Sequence, residues 1–160
     1  MKHVTNFGCA VDIGAHVGFF SGYMAEIFET VHAFEPEPEN FACLQKNAPP
    51  NVTCWNHGIA EKDMLGNMVN PCFYNSGAWE WHGDSLGSAR VMPLGAMLTP
   101  GFVKIDVQGM ELSALKGCKE VLERDKPVLL VENFKDGEYL TSMGYKMVER
   151  VGHDSIWVHK

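Results

Sequence analysis

The stretch Cys9-Ala-Val-Asp-Ile-Gly-Ala-His-Val-Gly-Phe-Phe-Ser21 constrains the chain more than any other. Cys9 to Val11 are small or apolar, which predicts a buried strand over 9–13. Gly14 and Gly18 then predict a tight turn, and Phe20, Met24 and Ile27 or Phe28 give helical spacing over about 17–28. Glycine lets the backbone turn sharply and lets a ligand approach without meeting a Cβ. The start of the helix offers free N–H groups and the positive end of a dipole. Together these predict a nucleotide or nucleoside site. A strand-to-helix turn with no ligand is the competing reading, because a lone glycine-rich turn is a weak signal.

The glycine spacing narrows the ligand. A dinucleotide fingerprint needs Gly-x-Gly-x-x-Gly, and here His16 stands at the second glycine position and Phe19 follows Gly18. The pattern Asp-x-Gly-x-x-x-Gly is instead similar to the first motif of class I S-adenosylmethionine-dependent methyltransferases. That cofactor has no pyrophosphate to cradle, so the middle glycine is dispensable. Asp12 is expected at the strand end, facing the cofactor's amino group.

The chain has 160 residues, 46% of them hydrophobic, so a single domain over 1–160 with a full core is expected. The net charge of −7 argues against broad binding to nucleic acid phosphates. Five scattered cysteines without a C-x-x-C pair predict reduced thiols and a cytoplasmic protein. No apolar run approaches the ~18 residues of a membrane span, and the first residues carry no signal-peptide pattern.

Further along, Thr30 to Phe34 reads as a strand ending at Glu35. An acidic residue roughly 20 positions past the glycine turn accepts hydrogen bonds from ribose hydroxyls in nucleoside-binding α/β folds. Pro38 suits the first turn of a helix that Pro49-Pro50 stops. Val52 to Trp55 reads as a third strand. Gly58 and Ile59 beyond it suit an adenine, and His57 reads as a loop histidine. Residues 61–90 look irregular, with one hairpin strand from Leu65 to Tyr74. A long polar loop follows, carrying Trp79, Trp81 and His82; the tryptophans read equally as a stacking surface for a sugar ring or planar substrate and as a loop tucked back onto the core. Arg90 to Leu98 suggests an edge strand interrupted by Pro93. Phe102 to Asp106 is a clear strand, and a helix is expected from Val107 onward. Val128 to Val131 reads as a strand buried on both faces, ending at Glu132-Asn133. A short helix closed by Gly144 and a final hairpin complete the chain. The alternation predicts an α/β fold: a doubly wound, mostly parallel seven-stranded sheet, with an antiparallel C-terminal hairpin.

By its motifs the chain resembles the FkbM family of S-adenosylmethionine-dependent methyltransferases. Val11 to Phe19 looks like the family's first motif, with His16 where asparagine is usual. Phe34-Glu35-Pro36 looks like the second. Phe102-Val-Lys-Ile-Asp-Val-Gln-Gly-Met-Glu111 looks like the fourth, with Gln108 where glutamate is usual. Residue by residue, the resemblance implies cofactor contacts from Asp12, Gly14, Ala15, His16, Gly18 and Phe19. It implies further contacts from Glu35, Pro36, Asp106 and Val107. It also implies O-methylation, often of sugar hydroxyls, with a small-molecule acceptor as partner.

Asp106 is the first choice for a catalytic group near the methyl, with Lys104 two residues earlier on the same face to tune it. Glu132 and His82 are weaker base candidates. Asp106 and Glu132-Asn133 also match, by position only, the Mg²⁺ ligands of catechol-type O-methyltransferases. Competing readings are a non-catalytic or partner-dependent cofactor-binding module and a nucleic acid methyltransferase. Pairing as a homodimer to complete the cleft stays open.

Overall fold

The computed structural model describes residues 2–72, 74–134 and 136–160. The glycine turn joins β1 (Cys9–Ile13) to α1 (Phe19–Ala25). The helix is shorter than its apolar spacing predicts. Phe28 turns inward and stacks on Phe102 at 5.8 Å and against Phe7 at 5.5 Å, which draws the chain into the next strand. Then follow β2 (Thr30–Phe34), α2 (Pro38–Asn47) and β3 (Val52–Trp55). Pro38 takes the first position of α2, and the Glu37 carboxylate caps it by accepting from Asn40 N–H at 2.6 Å.

The segment expected to be irregular is a second sheet. It contains β4 (Gly58–Ile59), β5 (Met64–Val69), β6 (Glu80–Gly83) and β7 (Ala89–Met92) in the order β4-β7-β5-β6. The predicted Leu65–Tyr74 strand ends at Val69, and Phe73 within it lies outside the described residues. β7 is an inner strand rather than an edge, and Pro93 follows it instead of interrupting it. The glycines that read as loop signals here make packing room. A Cβ on Gly66 would sit 2.5 Å from the Trp81 ring, and one on Gly87 would sit 2.0 Å from Gly66 O.

The chain returns to the large sheet with β8 (Phe102–Ile105). The expected helix start at Val107 is a turn instead. Gln108 and Gly109 have φ of 47° and 95°, outside the right-handed helical region. The predicted single helix is two: α3 (Glu111–Gly117) and α4 (Lys119–Asp125), broken at Cys118. Next come β9 (Val128–Glu132), α5 (Gly137–Ser142), β10 (Tyr145–Val151) and β11 (Asp154–His159).

The seven-stranded sheet has the order β10-β11-β9-β8-β1-β2-β3, and β11 alone runs against the others. Its two faces follow the pleat. Val11, Ile13, Val103, Ile105, Leu129 and Val131 pack with α3, α4 and α5 on one face. Ala10, Val31 and Phe102 pack with Met24 of α1 on the other, and Ala33 packs with Leu44 of α2. β9 is not sealed on both faces as expected. Val128 and Leu130 are half-buried, because they look onto an open groove beside α1 rather than under a helix.

Candidate active site

Three strand ends meet at the glycine turn. Gly14 has a φ of 79°, and a Cβ there would lie 1.8 Å from Asp106 O, so the turn passes under the exit of β8 only as glycine. Gly14 and Ala15 N–H both donate to Phe34 O at 3.0 Å. One residue beyond Phe34, Glu35 accepts from His16 N–H at 2.8 Å and from Glu37 N–H at 3.0 Å. Glu35 is 5% exposed. Burial pushes its carboxyl up to about 7, against the pull of those two backbone donors.

A cavity of ≈ 260 Å³ lies between these strand ends and the second sheet. Gly14, His16, Glu35, Pro36 and Asn40 line one side, and Gly58, Ile59 and Val91 another. Asp106, Val107, Gln108 and Met110 stand at the exit of β8. The opposite wall is Met68, Asn75, Gly77, Trp79 and Trp81. The tryptophans are therefore half-buried wall residues rather than exposed loop residues, and Trp81 belongs to β6 opposite Met68. The structure thus brings ten of the predicted residues to one cavity: Gly14, His16, Glu35, Pro36, Gly58, Ile59, Trp79, Trp81, Asp106 and Val107.

The remaining predicted residues stand elsewhere. Asp12 is not at the strand end: it pairs in register with Lys104, is fully buried, and does not line the cavity. Its carboxylate accepts from Ser21 Oγ at 2.6 Å and from Lys104 Nζ at 3.2 Å. Ala15 packs with Ala33 and Leu44. Gly18 fits against Leu44, whose side chain a Cβ would meet at 2.9 Å. Phe19 is 82% exposed on α1 and touches Phe20 edge-on. His82 is exposed beside Glu80 at 3.8 Å, on the opposite face of β6 from its neighbour Trp81.

Lys104 is buried behind the cavity. Its Nζ lies 3.2 Å from Asp12, 3.4 Å from Asp106 and 3.1 Å from Gly14 O, with the Phe20 ring 5.1 Å away. Burial opposes its charge, but the two carboxylates outweigh burial and raise its pKa. Asp106 in turn is held below the usual carboxylate range. Burial opposes this, while hydrogen bonding with Glu132, the Lys104 charge and Gln108 favour the anion. Glu132, at the end of β9, is pushed up to about 7 by its hydrogen bond with Asp106, by burial and by the Asp106 charge. Gln108 Nε2 donates to Asp106 Oδ1 and Glu132 Oε2, both at 3.2 Å. The two carboxyls therefore titrate as a pair, with Asp106 favoured as the anion and Glu132 pushed toward the protonated form.

Sequence reading missed Ser21, Asn40 and the bridging part of Gln108. Ser21 could have been found as a hydroxyl one helical turn into α1. Gln108 stands out only as an amide two residues past Asp106. Asn40 gave no signal. Among the described residues no group of three or more His, Cys, Asp or Glu could hold a metal ion. The cation that faces Asp106 is the Lys104 ammonium.

The strand order and the site at the strand carboxyl ends define a class I methyltransferase fold. Solved structures of the same class agree. A methyltransferase FkbM from Methylobacillus flagellatus superposes with a TM-score of 0.66 at 23% identity, covering 95% of this chain and 43% of that one. A TehB-like SAM-dependent methyltransferase from Corynebacterium glutamicum gives 0.53 at 10% identity, covering 99% and 84%. Magnesium protoporphyrin IX methyltransferase from Synechocystis, solved with bound SAM, gives 0.56 at 11% identity, covering 99% and 73%. Residues 12–149 match the Methyltransferase FkbM domain, and the chain belongs to that family. It spans less than half the length of the FkbM structure. No curated protein matches it in sequence at a significant level.

Proposed function

We propose that the chain binds S-adenosylmethionine in the cavity and methylates a hydroxyl of a small acceptor, with a carbohydrate or similar polyol the first class to try. The observation that carries this reading is the cluster beside the cavity in which Gln108 Nε2 bridges the Asp106 and Glu132 carboxyls, at 3.2 Å from each. Bound there, the cofactor supplies an already activated methyl group, so the protein's work is positioning, exclusion of water and proton removal.

Glu35 is the residue to hold the ribose. Each of its oxygens takes one backbone N–H and keeps a lone pair for a hydroxyl. Gly58, Ile59 and Val91 offer an apolar seat for the adenine. Asp106, kept anionic by Lys104, suits the cofactor's amino group. Glu132 is the base: once ionised, it accepts the proton that the acceptor hydroxyl loses as its oxygen takes the methyl. Beyond Gln108 a groove of ≈ 610 Å³ runs past Glu132, Asn133 and Asp136, whose carboxylates and amides can hydrogen-bond hydroxyl groups.

Calorimetric titration with S-adenosylhomocysteine tests the first half, with NAD as control and Glu35→Ala alongside. Micromolar binding, about 8 kcal/mol, weakened in the variant and absent for NAD, is expected. Transfer of labelled methyl to a panel of sugars, polyols and nucleic acids tests the second half. Binding without turnover across the panel would leave a cofactor-binding module, and no binding would remove the reading altogether.

A further inference from the structure

The turn Asn75–Ala78 connects β5 to β6 and is built locally. Gly77 N–H donates to Asn75 Oδ1 at 3.0 Å and Ala78 N–H to Asn75 O at 3.1 Å. Asn70 Nδ2 also donates to Asn75 O at 3.0 Å. The turn is then tied to the large sheet at two points, and both are on Ser76. His16 Nε2 lies 3.0 Å from Ser76 Oγ, and Asn40 Nδ2 donates to Ser76 O at 3.2 Å. These contacts span 60 and 36 positions of sequence, so they join parts of the fold that nothing local holds together. Among the described residues, every hydrogen bond from 75–83 to the loops of the large sheet ends on Ser76.

The ties close the cavity. His16, Glu35 and Asn40 line it from the large sheet, and Asn75, Gly77, Trp79 and Trp81 line it from the other side. β6 is an edge strand that pairs with β5 alone, so swinging it outward breaks no ladder of the large sheet. We propose that the segment from Asn75 to Trp81 is the door of the cofactor cavity, and that His16 and Asn40 are positioning residues that latch it through Ser76. The door's cargo rests on the cofactor reading above; the latch itself does not. His16 occupies the left-handed region with a φ of 52°, which asparagine tolerates well. His16→Asn therefore keeps the backbone of the glycine turn while shortening the reach to Ser76.

Two measurements on the full chain decide the proposal. The first is amide hydrogen exchange over 77–83 without ligand. His16→Asn, Asn40→Ala and Ser76→Ala should each speed exchange there about five- to tenfold, the factor expected for one hydrogen bond. Exchange in β1 and β8 should not change. The double variant His16→Asn/Ser76→Ala should be no faster than either single one, because both remove the same contact. Ser76→Thr keeps the hydroxyl and should restore wild-type exchange. The second is stopped-flow binding of S-adenosylhomocysteine, followed by tryptophan fluorescence. Ser76→Ala should raise the association and dissociation rate constants together and leave Kd nearly unchanged. A residue that merely touched the ligand would raise dissociation alone. Unchanged exchange in the single variants, an additive double variant, or faster dissociation at an unchanged association rate would each overturn the latch. A wild-type chain that does not bind S-adenosylhomocysteine would overturn the cofactor reading instead, while exchange would still decide the latch.

Discussion

Glu35 and Glu132 are both pushed up to about 7, for different reasons. For Glu35 burial leads; for Glu132 the Asp106 hydrogen bond leads. In the proposed reaction Glu132 takes the proton of the acceptor hydroxyl. Its base form grows as pH rises through about 7, so wild-type turnover should climb across that range in a pH–rate profile. Glu132→Gln should flatten the climb and lower turnover by about 10²–10⁴-fold. Asp106→Asn removes the partner that raises Glu132, so whatever activity survives should have its midpoint moved down toward the ordinary 4.5. A midpoint that stays near 7 in Glu132→Gln would assign the proton to another group. Lys104 supports the same site from behind. Lys104→Met leaves Asp12 fully buried with Ser21 as its remaining side-chain partner, which should cost about 3–5 kcal/mol in urea unfolding. The sequence showed Glu35 plainly, because one strand end delivers it to the cavity. It could not show that Asp12 points at Lys104, since that depends on the β1–β8 register across 92 positions.

At the scale of elements, the central strands of the large sheet were legible because they are short, mostly apolar runs with a plain stop. Cys9–Ile13 ends at Gly14 and Phe102–Ile105 at Asp106. The second sheet was legible only as two strands with other bounds, β5 and β7, and not as a sheet. Its strands are two to six residues long and rich in glycine, and their pairing depends on contacts far apart in sequence. Gly66 reads as a break in a strand, yet it is the space into which the Trp81 ring fits. The same test of what a Cβ would meet separates two other glycines. At Gly117 it would meet Ala60 O at 2.3 Å, so Gly117→Ala should push α3 off β4 and its loop, costing about 1–3 kcal/mol. At Gly22, inside α1, it would meet nothing within 4 Å and φ is not positive. Gly22→Ala should therefore stabilise by about 0.4–1 kcal/mol. Urea midpoints of the pair should move in opposite directions, and a shift of the same sign in both would contradict the packing described for α3.

For the whole molecule, folding and cofactor binding place opposite demands on Glu35. Its carboxyl is raised from an ordinary 4.5 to about 7 in the folded chain. A carboxyl raised on folding contributes stability that is fully present below 4.5 and is lost as pH rises through about 7. Complete loss amounts to roughly 3 kcal/mol, because at pH 8 the folded protein must hold a nearly buried anion. The N–H groups of His16 and Glu37 work against this burial, because both donate to the Glu35 carboxylate. A ribose changes the balance: its two hydroxyls are donors, and they favour the anion that burial disfavours. The free chain should therefore melt at a higher temperature at pH 5 than at pH 8, and the difference should shrink in Glu35→Gln. Affinity for S-adenosylhomocysteine should move the other way and tighten as pH rises through about 7. At a hundred times Kd the ligand adds about 2.7 kcal/mol, so at pH 8 it should restore most of the stability that ionisation removed. Melting curves at both pH values, with and without ligand, for wild type and Glu35→Gln, read all of this at once. If the wild-type melting point is flat with pH, Glu35 ionises freely in the folded chain and its burial is not the controlling term. If the free chain shows the pH dependence and the ligand's stabilisation does not follow it, the ribose is held by other groups than Glu35.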